Sequence, residues 1–261
     1  MFLNPCKEKQ VSVILTLTKN STPTILSTSS FSDISVDCVV FKFNESTLNL
    51  QVLLVDRKKK VEGHPTTSLP GDTIQPNEEI LSASKRVLFN QTGLTTPLYR
   101  FGSFEDPARL NDSGTVKKRV ITKAYLGFTN DDVLTFGDLA EQGGFVATNR
   151  VPKKMLYDHY QIFCKAIDAL KKAADGYLVP LNGMPESFTT TQLQRFYETI
   201  LGRTLDKRNF RRSILAKDYL EETGAYLRGT NFRPAKLFRF NQQKFEHCLE
   251  KELEKVPVIL F

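Results

Sequence analysis

Apolar residues in the first two-thirds of the chain follow the periods of strands and of two amphipathic helices. From Ile80 to Leu88 they recur at helical spacing, and a second helix is predicted from about Tyr157 to Ala174. Strands arranged around one amphipathic helix and closed by a second predict an α/β sandwich. Short apolar runs bounded by turn residues predict four strands, at residues 36–43, 48–55, 99–104 and 120–129.

The last third of the chain has the pattern of two short helices followed by a hairpin. A capping run at Thr189–Thr191 begins the first helix, and Gly202 ends it. Asp206 is predicted to cap the second helix, and Gly224 to end the helical part. Two strands around a turn at residues 229–234 would then form a wing, so this region predicts a winged helix-turn-helix.

The passage from Asp175 to Pro185 contains two glycines and two prolines, and it predicts a hinge between two domains. We therefore predict an N-terminal arm at residues 1–33, an α/β domain at 34–178 and a winged helix domain with its tail at 179–261. The arm is rich in Ser and Thr, which favours a flexible segment. An edge strand at Val11–Leu17 is the alternative.

Composition narrows the class of protein. The 261 residues carry a net charge of +7, which favours an anionic partner without identifying one. The four cysteines form no C-x-x-C pair, so neither a disulfide framework nor a zinc site is predicted. Because no apolar run approaches membrane-spanning length and no signal peptide is visible, a cytoplasmic location is expected.

A basic segment lies in the second helix of the predicted helix-turn-helix. Residues 203–212 hold five basic side chains and one acid, Asp206, at the capping position. The basic residues occupy a face opposite Phe210 and Ile214, where an anionic partner would relieve their repulsion. DNA binding is one interpretation, and a solvated basic helix on a core-packing hairpin is the other.

The stretch from Leu69 to Leu94 resembles a Nudix hydrolase box in its loop–helix–loop form. Asn77 is the predicted N-cap, Glu78 and Glu79 would lie in the first turn, and Gly93 would follow the helix end. The family's three metal-binding glutamates fall on Val87, Asn90 and Gln91, which the helical period places on one face. Neutral side chains there give Mg²⁺ little reason to bind. We therefore predict no metal, no cofactor and no catalytic residue.

Several strings, among them Leu-Asp-Lys-Arg-Asn-Phe-Arg-Arg at residues 205–212, resemble the winged helix of the Nudix-related transcriptional regulators. The resemblance covers residues 34–241 and implies a Nudix-like α/β/α sandwich followed by a C-terminal winged helix-turn-helix domain. It further implies a homodimer that binds double-stranded operator DNA and releases it when an effector binds. The DNA-binding residues that it implies are Thr189, Thr190, Gln192, Lys207, Arg208, Asn209, Arg211, Arg212, Arg233 and Lys236.

The effector of such regulators is an ADP-ribose-type nucleotide or a sugar, and residues 85–94 resemble the sugar-responsive members more closely. We therefore expect a sugar or sugar-derived metabolite. Arg57 and Arg119, at predicted strand ends, are candidate contacts, although solvated charges are the alternative reading of both. His159 at a helix start is interpreted as a capping or packing residue rather than a catalytic one.

The leading hypothesis is a ligand-responsive transcriptional repressor. Its rival is a Nudix pyrophosphatase acting on ADP-ribose-type substrates, and the third possibility is a non-specific nucleic-acid binder.

Overall fold

The computed structural model describes residues 33–60, 63–107, 109, 119–227 and 234–255. The predicted arm, including Val11–Leu17, and the turn at the tip of the wing lie outside these residues.

A seven-stranded mixed sheet forms the first part of the structure, and β1 lies at its centre. β1 runs parallel to β6 on one side, and on the other it pairs antiparallel with β2 and then with β4. β5 pairs with β6, while β7 and β3 both pair with β2. The strands are β1 (Asp33–Asn44), β2 (Asn49–Arg57), β3 (Thr67–Ser68), β4 (Gly71–Thr73), β5 (Tyr99–Phe104), β6 (Val120–Phe128) and β7 (Ala140–Ala147).

One helix covers each face of this sheet, which confirms the predicted α/β/α sandwich. Side chains of β1 alternate between the faces. Val36, Cys38 and Val40 pack with α1 (Ile80–Thr92), and Val39 and Phe41 pack with α2 (His159–Asp175). A single strand therefore supplies both hydrophobic layers.

The second part is a helix-turn-helix with a three-stranded wing. α3 (Thr190–Leu201) and α4 (Lys207–Leu215) precede the hairpin of β9 (Leu220–Leu227) and β10 (Ala235–Phe240). A short strand, β8 (Phe188–Thr189), pairs with β10, and α5 (Gln242–Lys255) follows the wing. Neither β8 nor α5 was predicted.

Two predicted boundaries are wrong. The N-cap of α1 is Glu79, because Asn77 takes a left-handed conformation (φ 65°) in the preceding turn. α4 ends at Leu215, and Gly224 lies inside β9, where three residues of β9 oppose one of β10. This bulge needs the positive φ of 77° that glycine adopts without strain.

The predicted hinge is instead part of the core. Leu178, Val179, Leu181 and Met184 are all buried. One hydrophobic cluster continues from the α2 side of the sheet through this passage into α3, α4 and the wing. Residues 179–261 remain our proposed winged helix domain, but its boundary is packed rather than mobile.

Candidate nucleic-acid interface

The turn between α3 and α4 is fixed by side chains of α3. Gly202 ends α3 in the left-handed conformation (φ 66°), and Asp206 caps α4 by accepting a hydrogen bond from the Asn209 amide at 2.8 Å. Glu198 accepts from the Leu205 amide at 2.8 Å, and Gln194 donates to the Leu205 carbonyl at 2.9 Å. These bonds hold α4 in a fixed orientation relative to α3.

The two faces of α4 differ in chemistry. Phe210 and Ile214 are buried in the core. On the opposite face Lys207, Arg208, Asn209, Arg211 and Arg212 are exposed, and Arg212 donates to the Asn209 side chain at 3.3 Å. The exposed face can thus present several guanidinium groups, which bond to base edges and phosphates, at one surface.

The wing lies beside this basic face. Lys236 on β10 is exposed and forms an ion pair with Glu222 on β9 at 2.8 Å. Its hydrogen bond to Glu222 raises the pKa of Lys236, while the nearby positive charge of Arg211 opposes that rise. Arg211 on α4 therefore lies close enough to Lys236 on the wing for the two positive charges to repel each other. Arg233 lies outside the described residues.

The side chains of Thr189 and Gln192, two of the predicted DNA contacts, form hydrogen bonds with each other's backbone. Thr189 is buried and caps α3, and its hydroxyl accepts from the Gln192 amide at 3.2 Å. The Gln192 side chain accepts from the Thr189 amide at 2.8 Å and completes a capping box. Both residues therefore have a structural role at the start of α3, and their contacts with DNA stay predictions. Thr190 is half-buried at the start of the same helix.

The helix α1 holds the degenerate box. Val87 and Gln91 are buried and Asn90 is exposed. The Gln91 amide donates to the Gly71 carbonyl at 2.9 Å and accepts from the Gly71 amide at 3.3 Å. Arg57 also donates to the Gly71 carbonyl, at 2.6 Å. Hydrogen-bond donors therefore occupy the side of α1 on which carboxylates would hold a metal, and no metal-binding cluster of His, Cys, Asp and Glu is found within the described residues.

Comparison with known proteins agrees with this geometry. Residues 180–240 match the model of the NrtR DNA-binding winged helix domain. Over 228 residues the chain is 27% identical to the ADPR responsive transcriptional repressor NtrR of Acinetobacter baylyi, covering 84% of this chain and 86% of that protein. The chain has the architecture of the Nudix-related transcriptional regulators.

Solved structures of this fold extend over both parts of the chain. Shewanella oneidensis NrtR complexed with a 27mer DNA is 24% identical, with a TM-score of 0.66 over 82% of this chain and 95% of that one. A MutT/nudix family protein from Enterococcus faecalis is 22% identical, with a TM-score of 0.65 over 83% of this chain and 89% of that one. At these identities the likeness is one of fold.

Within this regulator architecture, a buried polar cluster lies where α2 begins. His159 accepts from the Leu69 amide through Nδ1 at 2.9 Å, and its Nε2 lies 3.8 Å from the Asp37 carboxylate. Burial, reinforced by the charge of Arg57, lowers the pKa of His159 to about 3. Burial also raises the pKa of Asp37 to about 7, against the opposing charges of Arg109 and Arg57. A neutral, internally bonded His159 agrees with a packing role.

A second part of this cluster was not predicted from the sequence. Arg109 bonds both oxygens of Asp158, at 2.8 and 2.9 Å, and both side chains are almost fully buried. The two residues are 49 positions apart, so no local pattern connects them. This bidentate pair fixes the residue that precedes α2.

The two arginines predicted to contact an effector lie apart. Arg57 ends β2 beside Gly71, which pairs with Asp37. Arg119 is exposed and precedes β6, where its carbonyl accepts from Asp33. Arg57 therefore lies near Asp37 and Arg119 lies near Asp33. These two aspartates are four residues apart on β1, so about 13 Å of strand separates the backbone positions of the two arginines. Arg57 is half-buried, and its Nε has no hydrogen-bond partner among the described residues.

An open groove of about 1020 Å³ lies between the sandwich and α3. The turn after β1 forms one wall, at Thr47 and Leu48, and the end of α3 forms another, at Thr199 and Ile200.

Within the described residues no helix is both long and apolar enough to cross a membrane.

Proposed function

We propose that this chain is a ligand-responsive DNA-binding transcriptional regulator, acting as a repressor in the cytoplasm, where operator DNA is available. The observation that carries the proposal is the exposed basic face of α4, presented beside a wing by a helix-turn-helix of the NrtR type. Lys207, Arg208 and Arg211 are the residues that we assign to DNA. The repressor named among the relatives supports the direction of regulation.

Direct binding tests this proposal. Fluorescence anisotropy would compare DNA from upstream of regulated genes with scrambled DNA at the same salt concentration. We expect the specific site to bind more tightly by a factor on the order of 10³ or more. Equal affinity for both would make the chain a non-specific nucleic-acid binder.

The effector belongs to the sugar or nucleotide-sugar class. The name of the Acinetobacter relative supports ADP-ribose, whereas the likeness of residues 85–94 favours a free sugar. A thermal-shift panel of ADP-ribose, pentoses, hexoses and their phosphates decides between them, because a ligand that binds only the folded state raises the melting temperature. Release of operator DNA by the same compound is the second expected result.

The Nudix-like domain is proposed to be catalytically inactive. Support comes from Gln91, whose amide donates to the Gly71 carbonyl where a carboxylate would repel it, and from the buried methyl groups of Val87. The Arg57 guanidinium on the same carbonyl adds positive charge, which opposes a divalent cation. A Mg²⁺-dependent assay on ADP-ribose and nucleoside diphosphate sugars tests this, and steady turnover would favour the pyrophosphatase instead.

A further inference from the structure

A hydrogen bond between two side chains connects the Nudix-like domain to the helix-turn-helix, in addition to the shared hydrophobic core. Gln192, in the first turn of α3, donates from Nε2 to the Glu45 carboxylate at 3.2 Å. Glu45 lies in the turn between β1 and β2, and it is 147 residues away in the sequence. The other end of the same amide, Oε1, accepts from the backbone and hydroxyl of Thr189, at 2.8 and 3.1 Å.

We propose that Glu45 is a positioning residue for DNA binding: it orients the Gln192 amide and so fixes the start of α3 and the wing. The proposal rests on the function proposed above and deepens it, because it names a polar contact through which the sensing domain acts on the DNA-binding domain.

The amide of Gln192 has two chemically different ends, and only one orientation completes the capping box. With Oε1 towards Thr189 it accepts hydrogen bonds from the backbone amide and the hydroxyl, whereas the reversed amide would place its NH₂ group, a donor, against the Thr189 backbone N–H, which can only donate. The Glu45 carboxylate accepts from Nε2 and therefore stabilises the capping orientation. Both side chains are half-buried, so water screens this charge-assisted bond less than it would an exposed pair.

A displacement at Gln192 is transmitted to both DNA-binding elements. Thr189 belongs to β8 and pairs with Leu237 of β10, a strand of the wing. At the other end of α3, Glu198 and Gln194 hold Leu205 at the turn into α4. The wing and α4 are therefore both bonded to the helix whose start Glu45 fixes.

The turn that carries Glu45 is itself defined. Asn44 accepts from the Ser46 hydroxyl at 2.7 Å and the Thr47 amide at 3.1 Å. Leu48 follows with φ 47°, an uncommon conformation for leucine, and its side chain is half exposed at the groove between the sandwich and α3. A change in this turn would move Glu45 relative to Gln192 without disturbing the core.

Three substitutions separate the effect of the hydrogen bond from that of the charge. Glu45→Ala removes both, and Glu45→Gln retains an acceptor oxygen without the charge. Glu141→Ala, at an exposed position on β7, removes one negative charge from the same sheet and serves as the matched control. Thermal unfolding would establish that each variant is folded.

The first readout needs no DNA. Hydrogen exchange by mass spectrometry would follow a peptide covering residues 188–193, and loss of the capping orientation in Glu45→Ala is expected to speed exchange about 5-fold, as for one lost hydrogen bond.

The second readout is operator affinity and its decrease with ADP-ribose. Glu45→Ala is expected to change one or both of these quantities about 5-fold, which is the lower end of allosteric coupling. Glu45→Gln is expected to show an intermediate change, and Glu141→Ala no change.

Identical exchange in Glu45→Ala and Glu141→Ala would overturn the orientation of Gln192 by Glu45. Identical operator affinity and identical release by ADP-ribose in the two variants would overturn the role of Glu45 in DNA binding. If the unmodified protein bound no operator at all, the proposed function would fail instead. Exchange at residues 188–193 would still decide whether Glu45 orients Gln192, so the two failures are distinguishable.

Discussion

Replacing Phe196 by alanine tests whether the two domains form one folding unit. Phe196 is fully buried in α3, on the winged helix side of the predicted boundary. Its ring lies 5.3 Å from that of Phe43 in β1 and 5.4 Å from that of Phe128 in β6. Both partners belong to the central sheet, so Phe196 packs mainly against the other domain.

The expected cost follows from this packing. Truncating a buried phenylalanine to alanine costs about 3–5 kcal/mol, which combines lost burial with the cavity that remains. The upper part of this range is expected here, because two partners lie on paired strands that cannot easily move into the cavity. For a chain of this size, about 4 kcal/mol corresponds to a fall in melting temperature of roughly 8–16 °C.

Urea unfolding followed by circular dichroism and by tyrosine fluorescence measures this loss. Because the hydrophobic cluster is continuous, both signals are expected to follow one transition, and Phe196→Ala should shift it as a whole. Phe89→Ala is the control, since that ring is 57% exposed on α1 and its loss should change stability by less than about 0.5 kcal/mol. Two separate transitions, or a cost for Phe196→Ala below about 1 kcal/mol, would refute the shared core.

Arg208→Ala or Arg211→Ala is expected to weaken operator binding by about 1–3 kcal/mol if the side chain contacts a base, whereas Lys207→Ala should weaken all sequences alike and reduce the salt dependence. Unchanged affinity in all three folded variants would remove α4 from the interface. The raised pKa of Asp37 means that its buried carboxyl favours the protonated form, so its contribution to stability is lost as pH rises from about 4 through about 7. Asp37→Asn should therefore gain stability relative to the unmodified protein between pH 5 and pH 8, and urea midpoints at both values test the sign; a relative loss would contradict it. Homodimers are expected because one short helix reads few base pairs, and sedimentation showing only monomers at micromolar concentration, with and without operator, would count against this.

Local patterns predicted the elements that depend on neighbouring residues. Three such features were predicted correctly: the Asp206 cap, the buried face of Phe210 and Ile214, and the end of α1 at Gly93. Each depends on a spacing of four residues or fewer or on one backbone conformation. β7 was missed because its sequence, Ala-Glu-Gln-Gly-Gly-Phe-Val-Ala, has polar and glycine residues where an apolar alternation would be sought.

Contacts between residues far apart in the chain could not be predicted from local sequence patterns. The glycines and prolines between residues 175 and 185 resemble a linker, yet the apolar residues among them fill space between two domains whose juxtaposition no local pattern reveals. Gln192 shows the same limit in the functional region. The family resemblance implies a DNA contact for Gln192, and no local pattern predicted the structural role that its partners, Thr189 and the distant Glu45, give it.

The buried ring of Phe196 between Phe43 and Phe128 bears on how such chains diversify. If the sandwich and the winged helix were independently folding domains, recombination between related genes could replace either domain with that of a relative. Here a junction near residue 180 would pair α3 from one parent with strands from another, and mismatched aromatic volumes would leave voids or clashes. New sensing specificities in this lineage would therefore arise more readily by point substitution in loops than by swapping whole modules.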